Sequence, residues 1–364
     1  MNTSPTGIYY GDYLRLDRLL SAQAPESDRL GRPAHDEMLF IVVHQAYELW
    51  FKQILYEMES VREVFARPVV DDRQIGSVVH TLHRIAAILK LVIGHLDVLE
   101  TMTPLDFLDF RDLLYPSSGF QSLQFRLIEQ GLGLRRDDRL DFDKKPFDVR
   151  LDETDRKRLR KAGAGPSLSD QIDQWLARTP FVELGGYRFQ EEYRRAVDEM
   201  LERDAAIVGE SPALDESGRK VQLDGLAAAQ KRFAAIFDEK RHARQGGWRF
   251  TLKSLQAALF INLYRDEPAL QLPFRMLSLL MDIDETLTAW RYRHALMVQR
   301  MIGMKLGTGG SSGHDYLRQT ADRHRIFGDL FALSTFLIPR SALPPLPEAV
   351  RRAMTYRYAE DPEA

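Results

Sequence analysis

Nine histidines and no cysteine define the metal and nucleophile chemistry open to this chain of 364 residues. Without thiols there are no disulfides, thiolate zinc sites, iron–sulfur clusters or cysteine nucleophiles. A metal must then be held by histidine, carboxylate or a weaker ligand. Two histidines stand apart by context. His44 follows Phe40 by four residues, so both lie on one helical face a turn apart, and that face is otherwise aromatic and apolar. It reads either as a core imidazole bonded to backbone or as a polar group lining a buried pocket. His294, within TLTAWRYRHALMVQRMIG, shares its face with Leu287, Trp290, Val298 and Met301 and so points inward. Arg291, Arg293 and Arg300 flank it. An inward neutral imidazole among apolar side chains, with cations near, is what a heme requires: a ligand for the iron, walls for the macrocycle and partners for the propionates. A packed neutral histidine explains the same letters.

Other candidates carry less. His80 and His83 form an H-x-x-H pair, but no Glu-x-x-His pattern of a di-iron carboxylate bundle accompanies it, and no H-E-x-x-H occurs; a surface pair is the plainer reading. GTGGSSG at 307–313 is too rich in glycine to be helical and lacks the lysine of a phosphate-binding loop. It is either a flexible linker or a mobile loop whose hydroxyls and N–H groups close on a polar ligand. Arg111 sits one turn from Phe107 in PLDFLDFRDLLYP. An arginine beside an aromatic suits bidentate capture of a carboxylate, and a surface arginine fits equally.

The elements that must position these residues are helices nearly throughout. Over 36–61 large apolar residues recur at Phe40, Val43, Tyr47, Trp50, Phe51, Ile54, Met58 and Val61, the three- and four-residue steps of one amphipathic face. Asp36 and Glu37 suit the positive end of that helix. A second helix is expected over 75–99, and a third after Pro104, where proline fits the first turn, ending near Tyr115. A fourth is expected over 121–130. The stretch 134–169 is charge-dense and closes in a Gly/Ala/Pro loop, which reads as a solvated entry to a peripheral insertion. A short helix, DQIDQWLAR, follows, and a polar loop near 209–219 separates two more. Thr251 to Tyr264 and 272–304 are amphipathic and are split by the turn RDEPALQLP. A helix from His314 and an extended Pro-rich end complete the chain. No sustained period-2 segment stands out. The expected fold is all-α, a helical bundle core with a small helical insertion. Its divisions are 1–133 (N-terminal segment and core helices), 134–220 (charged insertion), 221–340 (core helices with His294 and the glycine loop) and 341–364 (tail).

Composition narrows the partners. Fifty Lys+Arg against 53 Asp+Glu leave a net charge of −3, and 44% of residues are hydrophobic. That is an ordinary globular composition, without the excess positive charge on which general nucleic-acid or anionic-membrane binding rests. No apolar run reaches the roughly 20 residues needed to span a bilayer, and the N-terminus has no secretory pattern. A cytoplasmic protein without nucleic-acid or membrane partners is expected.

Several long blocks, in order, are together more specific than any of these features. YGDYLRLDRLL, PAHDEMLFIVVHQAYELWFKQ, TPLDFLDFRDLLYPSSGFQSLQFR, LYRDEP, WRYRHALMVQRMIGMKLGTGGSSG and LSTFLIPR strongly resemble the tryptophan 2,3-dioxygenase family, from about Tyr9 to Arg340. The resemblance implies an all-α homotetramer whose bundle encloses one heme b per subunit, ferrous in the active form. It also implies cleavage of the indole ring of L-tryptophan with dioxygen to N-formylkynurenine, the first step of the kynurenine pathway.

Carried over by position, the resemblance makes His294 the axial iron ligand and His44 the histidine near the indole N–H. Phe40 and Phe107 become the aromatic walls of the indole pocket, and Ile41, Val42 and Val43, between Phe40 and His44 in the same FIVVH block, become substrate-binding with them. Arg111 becomes the carboxylate anchor and Thr308 the loop hydroxyl that meets the amino acid's polar end. Tyr10, Tyr13 and Leu14 match a segment that helps complete a neighbouring subunit's pocket. Two other classes remain to be weighed: a histidine-ligated heme hydroxylase of aromatic substrates, and a non-catalytic heme-binding sensor. FIVVH, FLDFR and GTGGSSG all match the dioxygenases.

Overall fold

The computed structural model describes residues 7–140, 148–245, 247–303, 305 and 313–355. Three short helices, α1 (Tyr10–Leu14), α2 (Leu16–Leu19) and α3 (Glu26–Arg29), lead into α4 (His35–Phe65). On α4 the residues Val43, Tyr47, Phe51, Ile54, Met58, Val61 and Phe65 are buried. They recur every three or four positions, so this helix persists because one continuous stripe goes into the core. Then comes α5 (Asp72–Leu99), started by a capping box in which Asp71 and Gln74 satisfy each other's end of the backbone. It begins three residues earlier than the apolar pattern suggests, because the cap and not the first apolar residue sets the start.

The next helix, α6 (Pro104–Arg111), is capped by Thr103 with Pro104 in its first turn. It is shorter than expected, and the chain tightens into a 3-10 turn at Asp112–Leu114. Next is α7 (Leu123–Leu132), which begins at the Ser122 cap and ends at Gly133. Gly133 has φ +129°, and a Cβ there would lie 2.6 Å from Ser169 Cβ, so no side chain fits.

The middle of the chain holds α8 (Glu153–Ala162), α9 (Leu168–Leu176), a two-stranded antiparallel hairpin of β1 (Glu183–Leu184) and β2 (Tyr187–Arg188), then α10 (Phe189–Glu210) and α11 (Glu216–Ala235). The polar loop between the last two is only 211–215. Of α11 only Phe233 and Ala235 are buried, so α10 and α11 form a hairpin that projects from the core. The charge-dense stretch is solvated over α8 but not at its start: Leu134 and Arg139 are buried. Arg139 goes inside because a buried carboxylate, Glu129, waits for it.

The final part comprises α12 (Glu239–Gln245), α13 (Leu252–Leu263), α14 (Pro268–Ile302), α15 (Gly313–Arg323), α16 (Gly328–Ala332) and α17 (Glu348–Met354). The long α14 starts inside the expected turn. Pro268 occupies its first position, and Pro273 lies inside the helix and buried, where it forgoes one backbone hydrogen bond in its second turn. The tail is not simply extended, since α17 buries Val350 and Met354. Helices α4, α5 and α14 pack together as the core, with α15 along α14 and α7 along α4. All-α architecture is thus as expected, apart from one hairpin of two-residue strands. Among the described residues no helix is long and apolar enough to cross a membrane.

Candidate functional site

A cavity of about 300 Å³ opens between α4, α6, α7, α14 and α15, rimmed by the 115–122 turn. That is within the usual range for a small-molecule pocket. Its α4 wall carries Phe40 and His44. The Phe40 ring lies 4.0 Å from the His44 ring and 5.8 Å from Phe107, with Phe110 edge-on at 5.6 Å. His44 Nδ1 is 2.7 Å from the Phe40 carbonyl oxygen. A carbonyl only accepts, so Nδ1 carries the hydrogen and Nε2 is left as an acceptor. Burial pushes the pKa of His44 down, against the opposing pull of that hydrogen bond and of Glu48. The ring is therefore neutral at pH 7, with a lone pair on Nε2. Both readings of His44 hold together: it is backbone-bonded and it lines the pocket.

Across the cavity, α14 contributes Trp290, His294, Met297, Val298 and Met301. His294 and Trp290 are one turn apart, and their rings stack at 5.2 Å with only 8° between planes. Burial, and then the nearby His44, push the His294 pKa down to about 4. The two imidazoles are thus close enough for charge on one to disfavour charge on the other. A neutral imidazole can donate to a metal, and Nδ1 of this one is buried with no hydrogen-bond partner. Among the described residues no three His, Asp or Glu side chains gather to hold an ion.

The third wall is charged. Glu129 on α7, 1% exposed, accepts from Arg126 (3.0 Å) and Arg139 (2.6 Å) on Oε2 and from Arg291 (2.9 Å) on Oε1. His324 Nε2 accepts from the Leu140 N–H at 3.4 Å, which puts the ring hydrogen on Nδ1, 3.7 Å from Glu129 Oε1. Burial alone would raise the Glu129 carboxyl, but Arg139, Arg126, His324 and Arg291 together hold it well below the usual range. Arg291 also donates to the His324 carbonyl at 3.3 Å, and Asp284 accepts from the N–H groups of Ile326 and Phe327. This network ties α7, α14 and the 324–327 turn together.

The structure brings Phe40, His44, Phe107, Arg111 and His294 to one cavity. Arg111 is nearly buried there, its side chain 14% exposed. Ile41, Val42 and Val43 do not line it: the α4 face that holds Phe40 and His44 turns them away, Val43 into the core and Val42, exposed, to the outside. Tyr10, Tyr13 and Leu14 lie on the exposed α1 segment, with Tyr10 70% exposed. Thr308 and the rest of 306–312 lie outside the described residues. The arginines flanking His294 divide. Arg291 faces the cavity but is engaged by Glu129, whereas Arg293 bonds Asp97 and Glu100 at the end of α5, and Arg300 lies 3.9 Å from Glu100. Of the three arginines expected around His294, only Arg291 lines the cavity. His80 accepts from Arg84 at 3.0 Å on an exposed face, as a surface pair would.

Sequence reasoning missed the charged wall and the rim formed by Ser118, Gly119, Phe120 and Ser122. The i,i+3 pair Arg126–Glu129 inside the apolar α7 was the available signal, because an acid on the buried face of a helix needs a partner there.

The fold and the site define a class: a helical bundle enclosing an aromatic cavity with two neutral histidines facing it and an arginine beside its phenylalanines. A profile of the family Tryptophan 2,3-dioxygenase matches residues 1–337. A protein named Tryptophan 2,3-dioxygenase from Bdellovibrio bacteriovorus is 51% identical, over 96% of this chain and 99% of its own length. Those of that name from Alteromonas mediterranea and Dictyostelium discoideum are 48% and 44% identical, over 96% and 97% of this chain and 97% and 89% of their own. The chain belongs to the tryptophan 2,3-dioxygenase family.

Proposed function

We propose that this protein is a heme-dependent dioxygenase that opens the pyrrole ring of L-tryptophan with dioxygen, giving N-formylkynurenine, as the first step of tryptophan degradation. The observation that carries the reading, beside family membership, is the pair of neutral imidazoles across one aromatic cavity. An imidazole that belongs to no cluster of three or more His, Asp or Glu side chains among the described residues suits an iron whose other ligands come with a macrocycle. His294, buried, neutral and partnerless at Nδ1, would hold the iron, and Trp290, Met297, Val298 and Met301 are apolar enough to wall a porphyrin. Bound there, ferrous heme b would supply dioxygen activation.

The chain's own residues do the rest. His44, with its hydrogen on Nδ1, turns an acceptor toward the cavity for the indole N–H. Phe40 and Phe107, with 29° between their planes, give the flat ring an apolar wall. Arg111 anchors the carboxylate, and Thr308 meets the polar end of the amino acid. Holding the indole beside the oxygen is worth several orders of magnitude in rate. Because an indole N–H is a very weak acid, His44 acts by orienting; His44→Ala is slowed yet active, and His294→Ala fails to hold heme. The exposed Ile8, Tyr9, Tyr10 and Tyr13 support assembly as a homotetramer in which this segment covers a neighbouring subunit. A cytoplasmic location fits a chain without cysteine.

The deciding experiment is anaerobic reduction of the heme-loaded protein, addition of L-tryptophan and then dioxygen, with mass spectrometry of the product. Ring opening with a gain of two oxygen atoms is expected. A gain of one makes it a hydroxylase, and no product with heme bound leaves a sensor or a different substrate.

A further inference from the structure

Glu37 stands in the first turn of α4, where an acid suits the positive end of the helix, but its carboxylate is committed to another element. It is 1% exposed, and its oxygens accept from two backbone N–H groups of α3, that of Glu26 at 2.8 Å on Oε1 and that of Ser27 at 2.9 Å on Oε2. Ser27, wholly buried, returns the contact: its hydroxyl oxygen accepts from the Ala34 N–H at 3.1 Å. A second fastening lies about two turns further along α4. There Gln45 donates to the Ala22 carbonyl at 3.0 Å and accepts from the Gln23 amide at 2.6 Å. The segment 22–27 is thus tied to α4 at both ends of the stretch that carries Phe40 and His44.

On its other side α3 packs against the 3-10 turn Asp112–Leu114, which directly follows Arg111 at the end of α6. A helix of four residues is too short to hold itself together. Ser27 is the one buried residue in it, and α1 and α2 before it bury none. Apolar burial therefore does not keep α3 in place. The Glu37 carboxylate does, through N–H bonds to a charged acceptor, which are roughly twice as strong as neutral ones.

We propose that Glu37 is a positioning residue for the tryptophan carboxylate: by gripping α3 it supports the 112–114 turn and so fixes the setting of Arg111. The proposal rests on the reading of Arg111 as the carboxylate anchor, so its test has one arm that needs neither ligand nor heme. Glu37→Gln keeps the length of the side chain but turns one acceptor into a donor facing an N–H. It is compared with Ser27→Ala and with Glu57→Gln, a buried acid of α4 that serves Arg84 and Gln53 away from the cavity. In Glu37→Gln, amide hydrogen exchange at 26–27 and 112–114 speeds up about fivefold, the equivalent of one net hydrogen bond, while α5 and α14 keep their protection. In the heme-loaded protein the calorimetric Kd for L-tryptophan rises about fivefold and kcat stays within about twofold. In the Arg111→Ala background Glu37→Gln weakens binding no further. Ser27→Ala gives the same pattern at smaller amplitude, and decides the matter if Glu37→Gln does not fold; Glu57→Gln moves neither quantity. Unchanged exchange at 112–114, unchanged tryptophan affinity, or a loss that adds in full to that of Arg111→Ala overturns the proposal. If Arg111→Ala itself binds tryptophan normally, the anchor reading fails, and the exchange arm still judges whether Glu37 supports the turn.

Discussion

Two walls of one cavity solve opposite problems. The wall from α4 and α6 is neutral: Phe40, Phe107 and an unprotonated His44 present rings and one lone pair, with Arg111 at its edge. The wall from α7, α14 and the 324–327 turn is charged: three guanidiniums close on Glu129, with His324 beside them. The first wall keeps the lone pair of His44 Nε2 for a ligand. The second spends most of its polar capacity on itself and in doing so fixes the helix that carries His294. A charge can thus line a pocket without serving the ligand, and the partners of each group tell which case applies.

The sharpest way to break this contrast is to remove the acid of the charged wall. Glu129→Gln strands buried guanidiniums, and the expected loss is about 3–5 kcal/mol of unfolding free energy in urea. If the loss is under about 1 kcal/mol, the network does not brace the fold.

On the neutral wall the corresponding change, Arg111→Ala, should spare the fold and hit the ligand. The expected outcome is a 10- to 100-fold weaker apparent affinity for L-tryptophan, about 1.4–2.8 kcal/mol, with an unchanged urea midpoint. Near-wild-type affinity would place the carboxylate anchor elsewhere.

Acid sharpens the comparison next. The His294 pKa is lowered to about 4 in the folded protein, against about 6.5 when unfolded. Between those values the unfolded chain binds a proton that the native one does not, so stability falls as pH drops through that window. The expected loss from this ring is about 2 kcal/mol between pH 7 and pH 5. His44, His95 and His324, also lowered by burial, act in the same direction. Glu129, held low by its arginines, loses its contribution only at more acid pH, as it protonates through its own depressed pKa. Urea titrations of the heme-free protein at both pH values, with His294→Phe reducing the pH slope, check the sign and the share.

The smallest effect belongs to an arginine that sequence grouped with the pocket. Arg293 is 42% exposed and pairs with Asp97 and Glu100. Arg293→Ala should cost at most about 1 kcal/mol and leave heme uptake unchanged. Loss of heme from that variant would restore it to the site.

His44 and Phe40 were legible because a four-residue step puts them on one helical face whatever the rest of the chain does. The inward setting of His294 followed from its apolar neighbours in the same way. Helical periodicity also marked α4, α5 and α14, each long enough to show its buried stripe. The family blocks added Phe107 and Arg111. The arginine assignments could not be read this way. Arg291 and Arg293 are two residues apart, yet one enters the cavity wall and the other turns to the end of α5, because their acids, Glu129 and Asp97, lie 162 and 196 residues away in sequence.

What the linear sequence determined is therefore local: which residues share a face, where Asp71, Thr103 and Ser122 start helices, and that thiol chemistry is closed to this protein. What only the tertiary structure decided is which faces meet. The hydrogen on His44 Nδ1 depends on the Phe40 carbonyl in the folded helix, and the low pKa of His294 on the helices that bury it. Whether an arginine flanking His294 joins the cavity wall or turns away from it depends on which acid packing brings to it. Periodicity acts over a turn of helix, but desolvation and charge act through space, and space is set only when α4, α7 and α14 close around the cavity.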